Sequence, residues 1–242
     1  MSSNFSAQTA ATRYLALMHE FVERSDLVSA AISGKFALSF PYLREFTYLQ
    51  FRYMCEIMAV GCLILNKNIA GLQSQAGNRE WNAGKIMRLL HQHHTYAFPQ
   101  CAQRETSKSG AELINANCNP NSLTYAEFNM LYAECGEVLH RGSTRSIEQS
   151  QKFTSETKQQ ITVWQSKLID LMNIHIVGRT NERGFYLTTM RTLSGYPVCD
   201  IFTRQGDGGV EINRVTMNPI NRSDTDSMLI GNMKPYLHTP DE

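Results

Sequence analysis

Residues 161–204 read ITVWQSKLIDLMNIHIVGRTNERGFYLTTMRTLSGYPVCDIFTR, and the organisation of the chain turns on a change of period inside them. Ile161, Trp164, Leu168 and Leu171 step by three or four, the spacing of one helical face. Phe153 and Thr157 carry the stripe backward, so a long amphipathic helix is expected over residues 153–173. After Asn173 the period shortens. Strands are expected over 175–178, 184–191 and 197–204, separated by residues 181–184 and by Ser194-Gly195. Residues 205–209 read as a turn, 210–217 as a fourth strand, and the tail from 218 is polar with three Pro.

Working back toward residue 1, the pattern is helical. Residues 7–24 carry Tyr14, Leu15, Leu17, Met18, Phe21 and Val22 as a stripe, and a second short helical stretch runs to about Ser33. Gly34 permits a break. Pro41 sits early in the next helical run, in a place suited to a first turn. From there to Asn66 the apolar residues cover most faces, as in a central helix. Its greasiest part, residues 53–65, is too short to span a bilayer. Another helix is expected over 78–93. Residues 95–122 are polar, with Pro99, Gly110 and Pro120, and read as a long loop. Thr124 followed by Glu127 matches a capping box and opens a helix whose stripe is Tyr125, Phe128, Tyr132, Cys135 and Leu139; Gly142 stops it.

The fold class expected is mainly α: a helical bundle domain over 1–174, a small antiparallel β-hairpin appendage over 175–217, and a C-terminal tail over 218–242. The 242 residues are ample for a core, and 23 basic against 22 acidic residues exclude a dedicated nucleic-acid coat while leaving room for a local patch. The six cysteines, at 55, 62, 101, 118, 135 and 199, show no close pairs and no disulfide framework, which points to a cytoplasmic protein. The first 25 residues lack the apolar stretch of a signal peptide.

Two runs carry a family resemblance: YLQFRYMCEIMAVGCLILN over 48–66 and LYAECGEVLHRG over 131–142. They resemble the HEPN-like helical proteins of prokaryotes, in which an Arg-x-x-x-Glu helix is followed by a helix ending in Leu-His. The resemblance implies a helical bundle, homodimerisation, and a place in RNA metabolism, toxin–antitoxin systems or antiviral defence. Active members of that family cut RNA without metal through an Arg-x(4–6)-His motif. Here Glu134 and Cys135 stand where that Arg would precede His140. The expected function is therefore a non-catalytic dimer that binds a partner protein, a nucleotide or RNA. The alternative is a metal-independent ribonuclease with an unorthodox site.

The candidate residues follow from the pattern. Arg52 and Glu56 are neighbours on one face of an otherwise apolar helix, and a buried pair there needs a third polar partner. They either fix how helices meet or form a polar site with His140. His140 closes its helix, where the dipole favours an imidazolium and a general acid–base role is open to it; a structural role is the plainer reading. Asn129, Ala133, Gly136 and His140 share a stripe small enough for close backbone approach. Arg88 with His93 is an alternative Arg–His pair, as is Arg13 with His19. Arg141 and Arg145 make a basic corner that either holds a phosphate or is solvated. His91, His93 and His94, with Cys101 beyond, suggest a metal cluster, but no Cys-x-x-Cys or His-Glu-x-x-His supports one, so no metal is expected. No phosphate loop is present, and no cofactor or membrane partner is expected.

Overall fold

The computed structural model describes residues 6–67, 82–108, 110, 112–140, 155–179, 184–206 and 208–217. Among them five helices and six strands are laid out as α1 (Ala7–Ile32), α2 (Phe40–Leu65), α3 (Ala83–His93), β1 (Gln100–Thr106), β2 (Glu112–Ala116), α4 (Tyr125–Leu139), α5 (Ser155–Met172), β3 (Ile174–Gly178), β4 (Gly184–Thr189), β5 (Val198–Arg204) and β6 (Val210–Thr216).

α1 is one helix, not two stretches, because nothing between Arg24 and Ser33 breaks it. Gly34, at φ 80°, ends it. Its N–H bonds Ala31 O and the N–H of Lys35 bonds Ala30 O, the paired closure that a left-handed residue after a helix allows. α2 starts with Pro41 in its first turn. It buries Tyr48, Phe51, Met54, Cys55, Met58, Cys62 and Leu65. A Cβ on Gly61 would lie 2.7 Å from the Tyr14 ring, so only glycine lets α1 and α2 cross this closely. α2 is 26 residues long and apolar enough to cross a membrane, and here it is the core helix, packed against α1, α3 and α4. Most of its apolar window is buried in this chain, while Tyr42 and Tyr53 stay exposed.

The expected loop over 95–122 contains two strands. β1 and β2 form an antiparallel hairpin, and β1 pairs with β3 through Gln100–Ile176 and Cys101–His175. The sheet order is β2-β1-β3-β4-β5-β6, antiparallel throughout. The mainly α bundle with a small β appendage is therefore corrected to an α/β fold with a six-stranded curled sheet. The sheet is part of the same core: Val177, Tyr186, Cys199 and Ile201 pack in one cluster with the helices.

The opposite face carries a second cluster, Ala102, Leu187 and Phe202 with Phe185, Ile114, Ile174 and Ile176. Asp200 lies on that face, 1% exposed, and both Arg104 of β1 and Arg214 of β6 donate to it. On a flat sheet β1 and β5 would be three strand spacings apart, about 14 Å, beyond an arginine's reach. The sheet curls around this apolar lining, and the Arg–Asp–Arg clasp holds the curl.

Candidate functional site

α2, α3 and α4 leave a groove of about 470 Å³ between them, open to solvent. Asn82 caps α3 by accepting a hydrogen bond from the Lys85 N–H at 3.0 Å. Lys85 and Arg88, three apart, then project on one face into the groove. α4 begins at the expected capping box: Thr124 and Glu127 bond each other's backbone N–H at 2.9 and 3.3 Å. That start sets the phase of the helix, so Asn129, Ala133, Gly136 and His140 all line the groove. Among the described residues of this chain no other backbone approaches the stripe at Gly136: a Cβ there would meet nothing within 4 Å.

Arg52 of α2 supplies the groove's third wall. Its Nε donates to Glu56 Oε1 at 3.1 Å, and the two side chains are 22% and 26% exposed, half-buried rather than sealed. The third polar partner is Tyr132, whose hydroxyl donates to the same Glu56 oxygen at 3.3 Å. Its ring lies 5.5 Å from the Arg52 guanidinium. Burial, with a contribution from the Glu56 carboxylate, pushes the Tyr132 hydroxyl up, so it stays a donor. The Ala83 N–H also reaches Tyr132 and seats the start of α3 on α4.

The structure thus brings together residues that the sequence offered as separate possibilities. Arg52, Arg88 and His140 line one groove, with Glu56 behind Arg52. His93 is exposed at the end of α3 and does not line it. Arg141 and Arg145 lie outside the described residues. Asn82, Lys85 and Tyr132 were missed as site residues. The spacing Asn82, Lys85, Arg88 was the available signal, a cap followed by two cations on one helical face. Among the described residues lining the groove the charged groups are Arg52, Lys85 and Arg88, His140 adds an imidazole, and no carboxylate is among them. The start of α3 adds the positive end of its dipole.

Two other polar clusters bond internally. Glu134 accepts from the Tyr48 hydroxyl, from Trp164 Nε1 at 3.0 Å and from Gln160, which ties α2, α4 and α5 together. The Met172 carbonyl can only accept, so His175 Nδ1, 2.8 Å away, carries the proton. Its Nε2 then accepts from the Tyr14 hydroxyl at 2.6 Å. Burial pushes His175 down to about 4. The three histidines clustered at the end of α3 diverge: His91 stacks on Tyr125 at 4.4 Å, His94 packs edge-on against Tyr96, and His93 faces solvent. No group of three metal-ligating side chains occurs among the described residues. Comparison with protein-family models, with curated proteins and with solved structures gives no match for this chain.

Proposed function

We propose that the protein binds a phosphate-bearing ligand, a nucleotide or the backbone of RNA, in the groove between α2, α3 and α4. The observation that carries this reading is the lining: among the described residues it presents three side chains of fixed positive charge and one imidazole, and no carboxylate. Clustered positive charge against low-dielectric walls attracts a polyanion, and the planar forks of Arg52 and Arg88 match phosphate oxygens. The volume is that of a small-molecule site. Asn82 and Asn129 offer amides for orienting a ligand. The test is fluorescence anisotropy of a labelled oligoribonucleotide at low salt, with ATP and GMP as competitors. Arg88→Glu is expected to weaken binding by at least tenfold while the thermal melt is unchanged, and salt is expected to weaken wild-type binding steeply. Equal binding by wild type and Arg88→Glu would remove the groove as the site.

A second reading, metal-independent cleavage of RNA, is favoured by one observation: Arg88 and His140, distant in sequence, line the same groove. An imidazole would accept the proton of a ribose 2′-hydroxyl as that oxygen attacks phosphorus, and the guanidinium would carry the charge developing on the phosphate. Among the described lining residues His140 is the sole imidazole, so no second one is present to protonate the leaving oxygen, and binding ranks first. Incubation with total RNA in excess chelator decides between them. Cleavage that His140→Ala lowers a hundredfold, with an unchanged melt, would promote the nuclease.

A further inference from the structure

We propose that Cys101 and Cys118 are a thiol oxidation site, joined as an intramolecular disulfide when the protein meets a peroxide. The two lie at the open end of the β1–β2 hairpin. Asn117 adopts φ 54°, a left-handed turn that redirects the chain just after β2. Its N–H donates to the Cys101 carbonyl at 2.7 Å. On the other side of Cys118, the Asn119 N–H donates to Cys101 Sγ at 3.3 Å. Ser122 Oγ, whose hydrogen goes to the Asn119 carbonyl at 2.8 Å, lies 3.5 Å from the same sulfur. Both neighbours of Cys118 are therefore bonded to Cys101, one at its backbone and one at its sulfur. Without the turn at Asn117, Cys118 would continue the strand's alternation and point to the other face. With it, Cys118 is turned to the side of Cys101, and burial together with the neighbouring Cys101 sulfur pushes the Cys118 thiol up.

Exposure makes the pair selective. Cys118 is the exposed cysteine, while Cys55, Cys62, Cys135 and Cys199 are sealed in the core and Cys101 is nearly so. A peroxide therefore meets Cys118 first. The Cys118 thiol gives up its proton, its sulfur takes one peroxide oxygen as the O–O bond breaks, and the departing hydroxide takes up that proton as water, leaving a sulfenic acid. The Cys101 sulfur then attacks the Cys118 sulfur. The S–O bond breaks, the S–S bond forms, and the hydroxyl leaves with the Cys101 proton as a second water. The hydrogen bond from the Asn119 N–H, with Ser122 packed beside it, holds the attacking sulfur in place for this step. The product fixes the segment leading to Thr124, the cap of α4, without involving any residue of the groove.

The test is peptide mapping of the full chain after stoichiometric hydrogen peroxide, alkylation and digestion without reductant. The expected product is a linked pair of peptides carrying Cys101 and Cys118, two hydrogens lighter than the separate thiols, which dithiothreitol separates. Cys101→Ser should let Cys118 accumulate as a sulfenic acid that dimedone traps. Cys118→Ser, a change at an exposed position, should leave Cys101 reduced at the same peroxide dose. Three results would overturn the proposal: Cys118 linked between two chains, Cys118 carried to sulfinic acid with Cys101 still alkylatable, or Cys101 oxidised as fast in Cys118→Ser as in the wild type.

Discussion

Two charged clusters in this protein are built from the same residue types and end in opposite conditions. In the curled sheet, one nearly buried carboxylate, Asp200, receives hydrogen bonds from two arginines, and Arg104 also bonds Glu112 at 2.7 Å. Burial would raise Asp200, but the hydrogen bonds from Arg214 and Arg104 outweigh it and hold the carboxyl below its usual range. In the groove, Glu56 pairs with Arg52 from behind, and no carboxylate is among the described lining residues. The sheet's cluster is closed on itself and holds a shape. The groove's described lining holds cations and no carboxylate, the condition that suits a ligand bringing its own negative charge. An Arg–carboxylate pair is thus no guide to role. The balance of charge around it is.

The contrast breaks first at the sheet. Asp200→Ala leaves two arginines turned toward each other over an apolar lining and is expected to cost about 4 kcal/mol in urea denaturation. A loss below about 1 kcal/mol would show that the clasp does not hold the curl.

The second expectation concerns the buried Tyr14–His175 pair. Above pH 6.5 His175 is neutral in both folded and unfolded chains. Below it the unfolded chain takes a proton that the folded one refuses until about 4. Stability is therefore lost as pH falls through this window, by about 3 kcal/mol in all. Urea midpoints from pH 7 to 4.5 should fall more steeply, by one proton, than in a His175→Asn variant. Parallel slopes would remove the buried imidazole as the cause.

Smaller effects are expected at the groove. Arg52→Ala breaks a half-exposed pair and should cost about 1 kcal/mol, a quarter of the loss at Asp200. A full burial penalty would instead place the pair among the structural clusters. Glu56→Gln keeps a hydrogen-bonding side chain behind Arg52 but removes its charge. Its melt should barely move, while oligoribonucleotide affinity rises a few-fold, because Arg52 is freed for phosphate. Weaker binding by this variant would mean that Glu56 itself orients the ligand.

Much of the fold was legible where burial leaves a periodic trace. α4 could be read from its capping box and stripe, α2 from apolar residues on most faces, and β3 to β5 from strands with buried interiors. β1 and β2 left little trace. β2 is an edge strand with four of its five residues exposed, and β1 meets β3 at only two positions, so neither needs an alternating apolar pattern. Polar composition with Pro99 and Gly110 then read as a loop, and with it the fold class was misjudged. The site divides in the same way. Arg52, Glu56, Arg88 and His140 were each visible as charged residues on helices. That they meet depends on how α3 docks against α4, through Ala83, Gly84 and Tyr132, which no local pattern encodes. Arg88 was accordingly paired with His93, its neighbour in sequence, rather than with His140, its neighbour across the groove.

The hydrogen bond between Tyr14 and His175 spans 161 positions of chain. A polypeptide emerging from a ribosome at about 5–20 residues per second would make Tyr14 wait roughly 10–30 s for its partner. During that interval α1 and α2 would be synthesised without the strands that cover Tyr14, and the hydroxyl would have only water to bond. The later-made strands thus seal helices made before them, and a chain stalled between the two would display the apolar side of α1 and α2 to whatever chaperone stands at the tunnel exit.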